Sequence, residues 1–155
     1  MYIDAYYYLH EIRKAYEYIK VKQKALDQCD YMIDTSCINY DRDKIQSPPR
    51  QDGLELKAIR HMEAAAAIKA EIAEKIEWQV RRIDEATTLI SQIESKEQRE
   101  VLIMRYIENK TWSDILEARD CDSLSSQYEL HKRAINSLQE ILDRQGADGD
   151  LKGSI

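Results

Sequence analysis

Residues 59–93 read IRHMEAAAAIKAEIAEKIEWQVRRIDEATTLISQI and contain neither glycine nor proline. Apolar side chains recur there mostly in steps of three and four, which is the periodicity of an amphipathic α-helix. This stripe consists of Ile59, Met62, Ala66, Ile72, Ile76, Val80, Ile83, Thr87, Ile90 and Ile93. Asp52 and Glu55 form a capping-box pattern upstream, so the helix is predicted to begin near them. Such a helix would be about 60 Å long at ~1.5 Å per residue, and it needs a partner to cover its stripe.

A second amphipathic segment, over about residues 2–36, supplies that partner. Its apolar positions are Leu9, Ile12, Tyr16, Ile19, Leu26, Cys29 or Met32, and Ile33. The period is lost at residues 36–52, which contain Pro48 and Pro49 and are predicted to form a long loop. We therefore expect an antiparallel, coiled-coil-like helical hairpin over residues 1–94. The first helix is the shorter one, so part of the second stripe is left uncovered, which favours a homo-oligomer, such as a dimer, through the long helices.

Residues 95–144 are predicted to form a separate, smaller module of three helices. Ser95 with Gln98 and Thr111 with Asp114 each match a capping pattern, so a helix is expected to begin at each. The apolar positions that follow indicate a long helix, a short helix and another long helix. This order is the outline of a helix-turn-helix module.

The composition supports an all-α fold class. The 155 residues include four glycines and two prolines, and 34% of them are charged. Sandwiches, barrels and doubly wound sheets need turn residues more often than that, and no glycine-rich phosphate loop can be written from the sequence. Three of the four glycines lie in the last ten residues, so residues 145–155 are predicted to be a disordered tail.

Charge and hydropathy indicate a cytoplasmic protein with no membrane segment. No stretch approaches the roughly 20 apolar residues that a bilayer span requires, and the N-terminus lacks the basic region of a signal peptide. The three cysteines, Cys29, Cys37 and Cys121, have spacings that suit no zinc site. The net charge of −6 gives no general attraction to nucleic acid.

No pattern of residues predicts catalysis. His10 and His61 have no ligand set at metal-binding spacing, and the carboxylates are scattered along helix faces. His131 lies on the apolar side of the last helix, where a hydrogen-bonded core histidine is expected. Trp112 and Tyr106 are expected to pack in the same core. We therefore predict no catalytic residue, no metal, no cofactor and no enzymatic activity.

Three strings of the C-terminal module resemble a known family. They are REVLIMRYI at 99–107, TWSDI at 111–115 and HKRAI at 131–135. They resemble the promoter-reading C-terminal domain of bacterial sigma factors, and more closely the small sigma-like regulators of Gram-positive phages and prophages. YLHEIR at 8–13 and DKIQSPPRQD at 43–52 extend the resemblance over nearly the whole chain.

The resemblance implies transcriptional regulation through DNA binding, with the last helix in the major groove and the helical arm self-associating or contacting RNA polymerase. The DNA-binding candidates are Lys110, Arg119, Ser125, Ser126, Gln127, Lys132 and Arg133. The resemblance places a core residue at Gln127 and a turn glycine at Asp120.

The charge of the module leaves a second function open. Residues 95–144 carry eight cationic and ten anionic side chains, a net charge of −2. Because phosphate neutralisation supplies most non-specific affinity for DNA, an acidic module is expected to bind DNA weakly by itself. The alternative is a non-enzymatic protein-interaction or assembly module whose degenerate helix-turn-helix does not bind DNA.

Overall fold

The computed structural model describes residues 2–43, 51–121 and 123–152, and these residues form helices and no strand. The elements are α1 (Ala5–Asp43), α2 (Gln51–Ser91), α3 (Lys96–Leu102), a π-helix (Ile103–Ile107), α4 (Trp112–Ala118) and α5 (Leu124–Lys152). The predicted all-α fold class is confirmed. Among the described residues, no helix has both the length and the apolarity that a bilayer crossing requires.

Two segments that we predicted as irregular are largely helical. Helix α1 continues to Asp43 and α2 begins at Gln51, so only residues 44–50 of the expected 36–52 loop lie outside the described residues. Helix α5 continues to Lys152, through most of the expected disordered tail, and residues 153–155 lie outside the described residues. A glycine inside a helix costs only about 1 kcal/mol relative to alanine, so Gly146 does not end α5.

The described residues divide into two compact units. The terminal unit comprises the residues up to 16 and those from 79 onward, and the middle unit comprises residues 17–78. The helix-turn-helix-like module at 95–144 belongs to the terminal unit, with the start of α1 and the end of α2. The terminal unit has one buried core, formed by Ala5, Tyr8, Leu9, Ile12, Ala86, Leu89, Ile90, Ile93, Val101, Leu102, Tyr106, Ile115, Ala134, Leu138, Ile141 and Leu142.

In the middle unit, α1 and α2 pack as an antiparallel pair. Lys22 Nζ lies 2.8 Å from a Glu71 carboxylate oxygen, and Lys75 Nζ lies 5.6 Å from the centre of the Tyr18 ring. Residue numbers therefore rise along one helix as they fall along the other, which confirms the predicted hairpin. The contact face contains Leu26, Ala65 and Ile72, with Ile19, Cys29, Ile33 and Ile68 packed against them.

Part of the predicted stripe of α2 is exposed instead of buried. Ile59, Met62, Ile76 and Val80 are between 43% and 59% exposed. Ile72 of the predicted stripe is buried in the middle unit, together with Ala65, which the predicted stripe did not include. The periodicity predicted the helix correctly. Which of its side chains are covered by α1 depends on how the two helices pack.

Two predicted capping patterns are present as hydrogen bonds. The Ser95 hydroxyl accepts the N–H of Gln98 at 3.4 Å, and α3 begins at the next residue. Thr111 and Asp114 form a complete capping box, in which each side chain accepts the backbone N–H of the other residue. These bonds satisfy N–H groups that have no partner inside the helix, so the local sequence determines where α3 and α4 begin.

Helix α4 ends in a Schellman motif that uses aspartate in place of glycine. Asp120 donates its N–H to Glu117 O at 3.2 Å, and Cys121 donates to Leu116 O at 3.0 Å. Asp120 has a φ of 50°, the left-handed conformation that glycine adopts most readily. Aspartate tolerates this conformation better than most residues. Asp120 therefore forms the turn that the resemblance assigns to a glycine.

The conformation of Asp120 predicts opposite effects for two substitutions. Asp120→Gly is expected to raise the free energy of unfolding by up to about 1 kcal/mol, because glycine adopts a positive φ without steric cost. Asp120→Val is expected to lower it by at least about 1 kcal/mol, because a β-branched residue is strained there. Urea unfolding monitored by far-UV circular dichroism measures both changes. A valine variant as stable as the glycine variant would contradict the left-handed turn.

Candidate nucleic-acid interface

The first turn of α5 is stabilised by its own cap. Ser123 Oγ accepts the N–H of Ser126, and Ser123 O accepts the N–H of Gln127, both at 3.3 Å. Serine is among the preferred N-cap residues because its hydroxyl satisfies an N–H at the helix start. The cap orients the N-terminal half of α5, which carries most of the predicted DNA-binding residues.

Four of the seven candidate residues lie together on the exposed surface of α5. Ser125, Ser126, Lys132 and Arg133 are all exposed. Their hydroxyl, ammonium and guanidinium groups can donate hydrogen bonds to base edges or phosphate oxygens. The structure therefore brings these four residues to one accessible helix segment directly after α4.

Lys110 and Arg119 form ion pairs within the terminal unit. Lys110 Nζ lies 3.1 Å from a Glu108 carboxylate oxygen. Arg119 donates to Glu100 at 3.1 Å, and the Arg119 side chain is only 13% exposed. Their charges are therefore compensated inside the protein, and Arg119 acts as a link between the end of α4 and α3.

Gln127 is buried. It is 4% exposed, and its Oε1 has no hydrogen-bond partner among the described residues. A buried polar group without a partner costs roughly 1–3 kcal/mol, so Gln127 is an energetically unfavourable core residue. The resemblance places a core residue at this position, and the structure places Gln127 there.

A groove of about 670 Å³ runs beside the exposed segment of α5 and has mixed charge. Three carboxylate residues line it, Glu97, Asp120 and Glu129, together with the guanidinium groups of Arg119 and Arg133. Because Arg119 is paired with Glu100, Arg133 supplies the exposed positive charge in this groove. The carboxylates oppose close approach of a phosphate backbone, whereas Lys132 and Arg133 favour it.

The predicted core aromatic residues form a hydrogen-bonded and ring-stacked cluster. The Tyr106 hydroxyl and His131 Nε2 are 2.7 Å apart. The ring of Trp112 meets those of His131 and Tyr128 edge to face, with centroids 5.1 and 5.0 Å apart. Burial first, and then the positive charge of Arg105, lower the pKa of His131 to about 4, so the imidazole is neutral at pH 7.

These aromatic residues line a pocket that the sequence patterns did not indicate, which we call the aromatic–arginine pocket. Its volume is about 220 Å³. Helix α1 contributes Tyr6, His10 and Arg13, and the π-helix contributes Arg105 and Tyr106, while α4 and α5 contribute Trp112, Tyr128 and His131. Arg13 and Arg105 are 92 positions apart in sequence, so no local spacing could have associated them. Among the described residues, no group of three or more metal-ligating side chains converges.

The contacts of Arg119 predict a structural role. Arg119→Met keeps the apolar stem and removes the ion pair, so it is expected to lower the free energy of unfolding by about 1 kcal/mol. Arg133→Met, at an exposed arginine, is the matched control and is expected to leave stability within about 0.5 kcal/mol of wild type. Urea unfolding compares the two. Equal destabilisation by both substitutions would contradict the structural role of the Arg119–Glu100 ion pair.

The pKa of His131 predicts a loss of stability in acid. Its pKa is about 4 in the folded protein and about 6.5 in the unfolded chain, so the unfolded state binds more protons between these values. The folded state is therefore expected to lose stability as the pH falls from about 6.5 to about 4. His131→Gln should reduce this loss, whereas His61→Gln in the middle unit should retain it. Thermal unfolding across this pH range measures the difference, and identical profiles for wild type and His131→Gln would contradict it.

Comparison with known proteins identifies one family and no characterised relative. The family described as "Protein of unknown function (DUF1492)" matches residues 51–139, which run from the start of α2 into α5. No curated protein and no solved structure matches the chain. The match covers more than half of the 155 residues and includes α2, α3, α4 and the exposed segment of α5. The chain therefore belongs to the DUF1492 family of proteins of unknown function.

Proposed function

We propose that the protein is a DNA-binding transcription regulator of the sigma-like type found in phages and prophages, acting in the bacterial cytoplasm. The observation that carries this proposal is the exposed face of the N-terminal half of α5, which directly follows α4 and its Schellman turn. In helix-turn-helix proteins the second helix presents such residues to the major groove. Ser125 and Ser126 would hydrogen-bond base edges, while Lys132 and Arg133 would bind phosphates.

The long helices would provide a second contact, either with another copy of the chain or with RNA polymerase. Ile59 and Met62 of α2 are 49% and 59% exposed in the middle unit. Apolar side chains exposed along a helix favour association with another helical surface. Self-association would bring two α5 helices to one DNA molecule, so that two weak half-sites add.

The alternative function is a protein-interaction or assembly module that does not bind DNA. The observation that favours it is the set of three carboxylate residues, Glu97, Asp120 and Glu129, in the groove beside α5. A partner protein with a basic surface would complement this groove, whereas a phosphate backbone would be repelled.

The two functions are distinguished by the salt dependence of binding to a fluorescently labelled, random-sequence DNA duplex. The wild-type protein is expected to bind at low salt, with affinity falling linearly on a log–log plot as salt rises. Lys132→Gln combined with Arg133→Gln removes two phosphate contacts. This variant is therefore expected to reduce the slope of that plot by about 2 and to weaken binding to all sequences alike.

The matched control is Lys57→Gln combined with Arg60→Gln, which removes two exposed charges from α2 in the middle unit. The control is expected to retain the wild-type slope. If wild type fails to bind the duplex at low salt, with and without RNA polymerase, the regulator proposal is wrong and the interaction module is favoured. If the control and the α5 variant reduce the slope of the salt plot by the same amount, α5 is not the DNA-binding helix.

A further inference from the structure

We propose that the aromatic–arginine pocket of the terminal unit binds a phosphorylated nucleoside, with the base among its aromatic rings and the phosphate on Arg13 and Arg105. The ligand would be either a free nucleotide or one nucleotide of a single strand. This inference does not rest on the proposed function, because neither Lys132 nor Arg133 lines the pocket.

The aromatic rings provide the surface for a base. Trp112 is held edge to face against Tyr128 and His131, so its orientation is set by packing before any ligand binds. Tyr6 and Tyr128 line the pocket and are 51% and 47% exposed. Aromatic side chains stack on bases of any sequence because every base has a π-face. Tyr6 is stacked on His10, with ring centroids 5.6 Å apart, so the rings are held in place while part of each is exposed, which suits a planar base.

The two arginines provide the charge for a phosphate. Arg13 donates to the carbonyl oxygens of Arg105 and Lys110 at 2.9 and 3.4 Å, and Arg105 donates to that of Lys110 at 3.2 Å. All three bonds use one terminal nitrogen of each guanidinium. A guanidinium carries five N–H donors in a planar fork that matches the oxygens of a phosphate. Neighbouring N–H groups on each arginine have no protein acceptor among the described residues.

The charges in the pocket are uncompensated. Among the described residues, neither Arg13 nor Arg105 forms an ion pair with a carboxylate. Burial, and next the nearby charge of Arg13, lower the pKa of Arg105. Two like charges held together in a partly buried pocket repel each other, and an anion placed between them relieves that repulsion. The neutral His131 adds no further charge at pH 7.

The π-helix contributes both charge and ring to this pocket. At its C-terminal end the N–H of Glu108 bonds to Ile103 O at 2.8 Å, and the N–H of Lys110 bonds to Met104 O at 2.9 Å. These spacings are wider than those of an α-helix, and such segments frequently occur at functional sites. The widened turn carries Arg105 and Tyr106, which face the pocket beside Trp112. Arg105 Cζ lies 4.8 Å from the centre of the Trp112 ring.

The test uses the two indole N–H signals of the full-length, ¹⁵N-labelled protein. Trp112 lines the pocket and Trp78 is the only other tryptophan in the sequence, so it is an internal control. Adenosine, guanosine, cytidine and uridine monophosphates are titrated separately, as are the matching nucleosides, inorganic phosphate and a short single-stranded oligonucleotide. At least one monophosphate is expected to shift the Trp112 signal in a saturable manner while Trp78 stays unchanged.

Neighbouring residues on α1 offer matched controls. Arg13→Gln is expected to weaken monophosphate binding about tenfold, whereas Lys14→Gln, at the next and exposed residue, is expected to leave it unchanged. Tyr6→Ala is likewise expected to weaken binding, and Tyr7→Ala, which is 62% exposed and outside the pocket, is not. These exposed tyrosines can be replaced without creating a cavity in the core, so their variants remain informative if an Arg13 variant is poorly folded.

Three results would overturn the proposal. The first is that no monophosphate and no oligonucleotide shifts the Trp112 signal. The second is that inorganic phosphate or a nucleoside binds as tightly as the monophosphate. The third is that Tyr6→Ala and Tyr7→Ala change monophosphate binding equally. If the oligonucleotide binds more tightly than the monophosphate, the ligand is a nucleotide of a single strand. If the two bind with equal affinity, the ligand is a free nucleotide. The Lys132→Gln, Arg133→Gln variant is expected to keep the Trp112 shift on nucleotide binding. Loss of duplex binding and loss of nucleotide binding can therefore be measured separately.

Discussion

The packing of α5 against the two ends of the long helices is the contact on which the terminal unit depends. Ala134 and Leu138 of α5 are fully buried in the same core as Leu9 of α1 and Ile90 of α2. Gln139 adds a polar link, because its side chain accepts the N–H of Ala5 and donates to Ile3 O, both at 2.8 Å. A helix of seven residues such as α4 is not stable alone, so this shared core keeps the module folded.

That shared core also determines which surfaces remain available for function. It buries the apolar side of α5 and leaves exposed, on the other side, Ser125, Ser126, Lys132 and Arg133. It also packs the start of α1 against the π-helix, where an Arg13 guanidinium nitrogen lies 2.9 Å from Arg105 O. The proposed duplex-binding segment and the proposed nucleotide pocket therefore both result from one packing arrangement.

Much of the fold could be predicted from local patterns, and the candidate site only in part. Ser95 and Thr111 cap α3 and α4 as predicted, because capping bonds join residues only three positions apart. The loop at 36–52 and the tail at 145–155 were predicted less well, because a proline pair or a glycine disfavours helix without excluding it nearby. Arg119 was a DNA-binding candidate in the sequence, but its partner Glu100 is 19 residues away and no pattern indicated their pairing.

The sequence by itself determined that the chain is helical and where α3 and α4 begin. These features depend on hydrogen bonds and side-chain spacing within one or two helical turns, so the residues responsible are neighbours along the chain. Only the tertiary structure decided that Arg119 is paired with Glu100. It also decided that Arg13 and Arg105 meet beside Trp112. Those outcomes depend on which helix faces cover one another, and that choice is governed by the burial of apolar area over the whole unit rather than within any one segment.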